Sequence, residues 1–64
     1  MSAALHLLDA QMHGARARAH RKMAQRLAAE GKTVVAQTHA TFGDLEDLCE
    51  TLALKLAHQN QVRR

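Results

Sequence analysis

The sequence contains no proline, tryptophan or tyrosine, a single phenylalanine (Phe42), a single cysteine (Cys49) and three glycines. Without proline, nothing in the chain forces a helix to break. With one aromatic ring there is little to stack on unpaired bases. A lone cysteine excludes an intramolecular disulfide, and no spacing of Cys and His suits structural zinc, so neither a metal nor a cofactor is expected. A free thiol at an apolar position suits a reducing cytoplasm, which is the expected location. The stretch from Met1 to Asp9 has no basic start, carrying neither Lys nor Arg, and its apolar run is interrupted by His6. It reads as neither a secretory signal nor a membrane span.

What remains is a chain rich in Ala, Leu, Gln, Arg and Lys, good helix formers all. Its 64 residues make one domain at most. A chain this short buries only about 60% of the surface its unfolded form exposes, so pairing with a second copy is the usual remedy. Two apolar stripes run through it. Leu5, Leu8, Met12, Ala15, Ala19, Met23 and Leu27 recur every three or four residues, as do Val35, Thr38, Phe42, Leu45, Cys49, Leu52 and Leu56. Each is the signature of a helix with one apolar side. Ser2 is placed to cap the first helix, and Glu30-Gly31-Lys32 to stop it, because glycine takes the left-handed conformation cheaply.

A long helical hairpin follows: an all-α domain over 1–64, with a helix at 2–30, a turn at 31–33, a helix at 34–60 and a short basic tail at 61–64. Facing residues should then have numbers summing to about 64, which sets Leu8 against Leu56, Met12 against Leu52, Ala15 against Cys49 and Ala19 against Leu45. Asp9 would face Lys55, and Arg16 to Arg18 would face Glu46 to Asp47. Leu8, Met12, Leu45, Leu48, Leu52 and Leu56 are the expected core and dimer residues. Leu48, Ala53, Ala57 and Val34 widen the second stripe beyond what one hairpin covers, so two hairpins should pair into a four-helix bundle. The rival architecture takes 33–42 as a strand. Val34, Ala36, Thr38, Ala40 and Phe42 alternate with polar neighbours, Thr33, Val34, Val35, Thr38 and Thr41 are β-branched, and Gly43-Asp44 resembles a helix start. That chain would be helix-strand-helix, dimerising through an intermolecular β-ribbon. Within the hairpin, Gly43 is where a kink in the second helix would fall.

Chemistry-bearing residues are few. His6, His13 and His20 repeat every seven residues and form a stripe on a flank of the first helix, with successive members about 10 Å apart at ~1.5 Å rise per residue, too far to share a metal ion. His13 beside Asp9 or Glu50 imitates an oriented base, but no nucleophile or pocket accompanies it, so no enzyme activity and no small-molecule substrate are expected. Cys49 reads as a small apolar core residue, and Met1, Met12 and Met23 as core fillers.

Charge is the most informative feature. Up to Lys32 there are six basic residues against two acidic, and from Thr33 onward three against four. In the run ARARAHRKMAQR, Arg18, Arg21, Lys22 and Gln25 share the side of the helix away from the apolar stripe, with Arg16 and Arg26 at its borders. This basic face is the candidate binding surface, for a nucleic acid or an acidic protein surface. Read as a helix-turn-helix around Gly31, MAQRLAAEGKTVVAQ has Leu27 where a small residue belongs and Gln37 where an apolar one belongs. Asp47-Leu-Cys-Glu-Thr-Leu52 resembles a segment of the second helix of the plasmid repressor-of-primer family, RNA-binding dimers of helical hairpins. The resemblance covers only those six residues, and the aromatic residue that family uses on its first helix is missing here. The expected function is that of a small regulatory or adaptor protein binding a protein partner through its bundle surface, with RNA or DNA binding by the basic face as the alternative. Membrane contact is not expected.

Overall fold

The computed structural model describes residues 2–62, which form two antiparallel helices, α1 (Ala3–Ala29) and α2 (Thr33–Val62). Arg63 and Arg64, the end of the expected tail, and Met1 lie outside the described residues. The pair makes a rod of 52 × 13 × 12 Å. No strand occurs among the described residues, so the helix-strand-helix architecture is set aside in favour of the hairpin. No helix among them is long and apolar enough to cross a membrane.

Both ends of α1 are fixed by local chemistry. The Ser2 hydroxyl accepts a hydrogen bond from the Leu5 N–H at 3.3 Å. At the other end the Gly31 N–H donates to the Ala28 carbonyl (3.0 Å) and the Lys32 N–H to the Leu27 carbonyl (2.9 Å), the paired bonds of a Schellman cap. Gly31 carries the positive φ of 79° that this cap needs. Across 33–42 the β-branched residues enter α2 all the same. The Thr38 and Thr41 hydroxyls donate back to the carbonyls of Val34 and Gln37, both at 3.0 Å, which satisfies them within the helix. Helix α2 continues through Gly43 without interruption.

The helices meet along a different seam from the one the apolar stripes suggested. On α1 the residues turned inward are Ala3, His6, Ala10, His13, Ala17, His20, Ala24 and Leu27; on α2 they are Ala36, His39, Gly43, Glu46, Glu50, Ala53, Ala57 and Asn60. Both sets are unbroken alternations of three and four, the coiled-coil spacing. Among the described residues the buried apolar side chains are all alanines: Ala10, Ala17, Ala36, Ala53 and Ala57. Small side chains let two helices approach closely, which maximises backbone-to-backbone contact but buries little apolar area. A side chain at Gly43 would already touch the Ala17 carbonyl and Arg21 at 3.4 Å.

Against this seam the apolar stripe of α1 is displaced by two residues from Leu5 to Ala19, rejoining the seam at Leu27, and that of α2 is displaced by one. At about 100° per residue, the first stripe is turned nearly opposite the partner helix and the second onto its flank. Because the helices run in opposite directions, both rotations lead toward the same side of the hairpin. The expected pairing of Leu8 with Leu56, Met12 with Leu52, Ala15 with Cys49 and Ala19 with Leu45 is therefore not formed between the two helices. Leu8 and Leu52 are each 60% exposed, and Met12, Leu45, Leu48, Leu56 and Cys49 are exposed as well. The axial register did come through: the contacting pairs His13–Glu46, His20–His39, Arg21–Asp44 and Arg21–Asp47 have numbers summing to 59, 59, 65 and 68, on both sides of the expected 64.

Candidate interaction surfaces and the polar seam

Rotation of the stripes gives the hairpin two unlike sides. One carries Leu5, Leu8, Met12, Ala15 and Ala19 from α1 with Val35, Phe42, Leu45, Cys49, Leu52 and Leu56 from α2, all exposed. Leu48 lies further round α2 and is 67% exposed. The other side carries Gln11, Arg18, Arg21 and Gln25 opposite Gln37, Asp44 and Asp47, with Leu7 and Leu54 as its apolar members. The chain is amphipathic at the level of the pair.

The predicted basic face divides. Arg16, Arg18, Lys22, Gln25 and Arg26 are exposed, and Gln25 borders a shallow cleft with Ala24, Ala28, Thr33, Ala36, Gln37 and Ala40 near the turn. Arg21 is not free. Its guanidinium bonds to both carboxylate oxygens of Asp47 and lies 3.6 Å from Asp44. The Asp47 hydrogen bonds, followed by the attraction of Asp47 and Asp44, raise its pKa above the ordinary arginine value. Among the described ion pairs it is therefore Arg21, rather than Arg16 or Arg18, that meets the acids of α2.

His6, His13 and His20 lie along the seam itself and not on an outer flank. His13 is clasped between two carboxylates: its Nδ1 lies 2.5 Å from Glu46 Oε2 and its Nε2 3.4 Å from Asp9 Oδ1. Glu46 therefore takes the role expected of Glu50, and Asp9 turns to His13 rather than Lys55. One heptad on, His20 Nδ1 stands 3.0 Å from His39 Nδ1 across the helices. Phe42 rests on both rings, 5.4 Å from His20 and 6.1 Å from His39, edge-on to the latter. The part played by His39 escaped the sequence reading, although its place in the inward spacing Ala36, His39, Gly43, Glu46 was there to be found. Among the described residues no three of His, Cys, Asp or Glu come together as metal ligands.

No family model, curated protein or solved structure matches the chain. Function has to be argued from these surfaces.

Proposed function

We propose that this chain is a non-enzymatic protein-binding module whose apolar side takes a second copy, closing a four-helix bundle that presents its polar sides to a protein partner. The observation carrying this reading is the row of exposed leucines, Leu5, Leu8, Leu45, Leu52 and Leu56, beside a seam of alanines. Alanine burial supplies too little apolar area to hold two long helices in water, and a second layer supplies the rest. Surface area supports it: the chain exposes 4829 Å². A compact protein of its 7.1 kDa would expose about 4,100 Å². The excess is close to the roughly 800 Å² per partner that a stable interface buries. A cytoplasmic setting, in which Cys49 on that side stays reduced, belongs to the same proposal.

Sedimentation equilibrium tests it. The wild-type chain should run at twice 7.1 kDa at micromolar concentration, and Leu52→Glu, which puts a charge on the apolar side, should run as a monomer. A wild-type chain that stays monomeric and folded rejects the reading.

Nucleic-acid binding is the second reading, supported by the exposed Arg16, Arg18, Lys22 and Arg26 along one helix. The pairing of Arg21 with Asp44 and Asp47 weakens it, since both acids share that side. If RNA or DNA binds, changing Arg18 and Lys22 to Ala should reduce the salt dependence by about 0.7 to 0.9 per lost phosphate contact.

A further inference from the structure

We propose that His20 and His39 form a proton-operated latch, which closes the turn half of the hairpin and through Phe42 governs whether the apolar side can assemble. The two Nδ1 atoms stand 3.0 Å apart, within hydrogen-bonding distance. Such a bond needs one nitrogen carrying hydrogen and one offering a lone pair. Two neutral rings provide that, and so do one neutral ring and one imidazolium. Two imidazoliums do not, because both Nδ1 atoms are then donors. A doubly protonated pair has no bond and places two cations in contact.

The surroundings do nothing to accommodate the second proton. Onto His20, α2 packs His39, Phe42 and the backbone of Gly43. Onto His39, α1 packs His20. The charged neighbours of His20 along α1 are Arg16, Arg21 and Lys22, all cationic. The nearby carboxylates of α2 are committed elsewhere, Asp44 and Asp47 to Arg21 and Glu46 to His13. Doubly charged rings must therefore turn away from each other toward water. Phe42, which rests on both and is 44% exposed on the apolar side, then loses its support.

His13 responds in the opposite sense. With Glu46 at one ring nitrogen and Asp9 at the other, a proton there completes two ion pairs. Acid thus loosens the hairpin next to the turn while holding it one heptad away. The sign follows directly. The second proton on the His20–His39 pair favours the open form, so the closing contribution is present at higher pH. It is lost as pH falls and the second ring takes up its proton.

The last step, control of assembly, rests on the bundle proposed above; the latch itself does not. The test uses the full chain with 15N-labelled histidine, followed by NMR from pH 8 to pH 5. At pH 8 a hydrogen-bonded Nδ1–H should be seen between the two rings, disappearing on acidification. Amide exchange of residues 20–43, divided by the intrinsic exchange rate at each pH, should then accelerate by up to about tenfold per pH unit, the linkage of one proton. His39→Gln, or equally His20→Gln, keeps a hydrogen-bonding side chain that cannot charge and should remove this acceleration. His13→Gln should leave it in place. Sedimentation of the same samples should show the wild type dissociating in acid and His39→Gln remaining paired. Absence of the ring-to-ring bond at pH 8, or acid acceleration undiminished in both glutamine variants, overturns the latch. A chain that is monomeric at pH 8, yet forms and loses the bond as described, keeps the latch and removes the assembly it would control.

Discussion

At Gly31 the backbone takes a φ of 79° with nothing within 4 Å of where a side chain would point. At Gly43 the backbone is ordinary helix, but the Ala17 carbonyl waits at 3.4 Å. The two positions should therefore respond oppositely to the same substitution. Gly31→Ala should cost about 1 to 2 kcal/mol, the penalty of a left-handed non-glycine residue. Gly43→Ala meets only van der Waals contact and should gain up to about 1 kcal/mol of helix propensity. Urea unfolding of the two variants checks both, and equal effects would show that the cap or the close approach is misplaced. Cys49→Ala should leave the fold intact, because the thiol is exposed on the chain and takes part in no bond that holds the hairpin.

Helix by helix, the alanines at 3, 10, 17 and 24 set how closely α1 can approach α2. Ala17→Leu should overpack that seam and cost about 1 to 3 kcal/mol. Ala4→Leu, at an exposed position of the same helix, should stay within about 0.5 kcal/mol. Thermal or urea melts separate the two, and an innocuous Ala17→Leu would mean that the helices do not meet where Ala17 is buried. The same residues explain what could be read beforehand. Two helices, the Ser2 cap, the stop at Gly31 and the axial register follow from local chemistry and from stripe spacing, and all were legible. The choice of inner face was not, because a hydrophobic stripe marks the side that must be covered without saying by what. Leu8, Met12, Leu45 and Leu52 are strong hydrophobic signals, and a single chain leaves them outside. Ala3, Ala10, Ala17 and Ala24, with His6, His13 and His20 in step between them, are a weak hydrophobic signal and a strong steric one. The seven-residue histidine spacing was visible as a stripe on the first helix. Its meaning depends on Glu46 and His39, which sit more than a turn of chain away in sequence and meet it only once the hairpin closes.

For the whole molecule, the polar and apolar sides of the hairpin imply different partners. If the polar side contacts nucleic acid, binding should weaken when Arg18 and Lys22 become Ala, while helix content stays nearly unchanged, since alanine is the better helix former; a filter-binding titration with circular dichroism on the same samples checks both. Unchanged binding would assign those cations to solvent. The apolar side carries the central claim, that Phe42, Leu45 and Leu52 meet a second copy while the alanine seam stays within one chain. Isotope-filtered NMR on an equimolar mixture of labelled and unlabelled chains addresses it directly, since it reads only contacts between copies. Intermolecular NOEs are expected from the Leu45, Leu52 and Leu56 methyls and the Phe42 ring, and none from the methyls of Ala10 and Ala17. Intermolecular NOEs at Ala10 and Ala17, or none at the leucines, would contradict it.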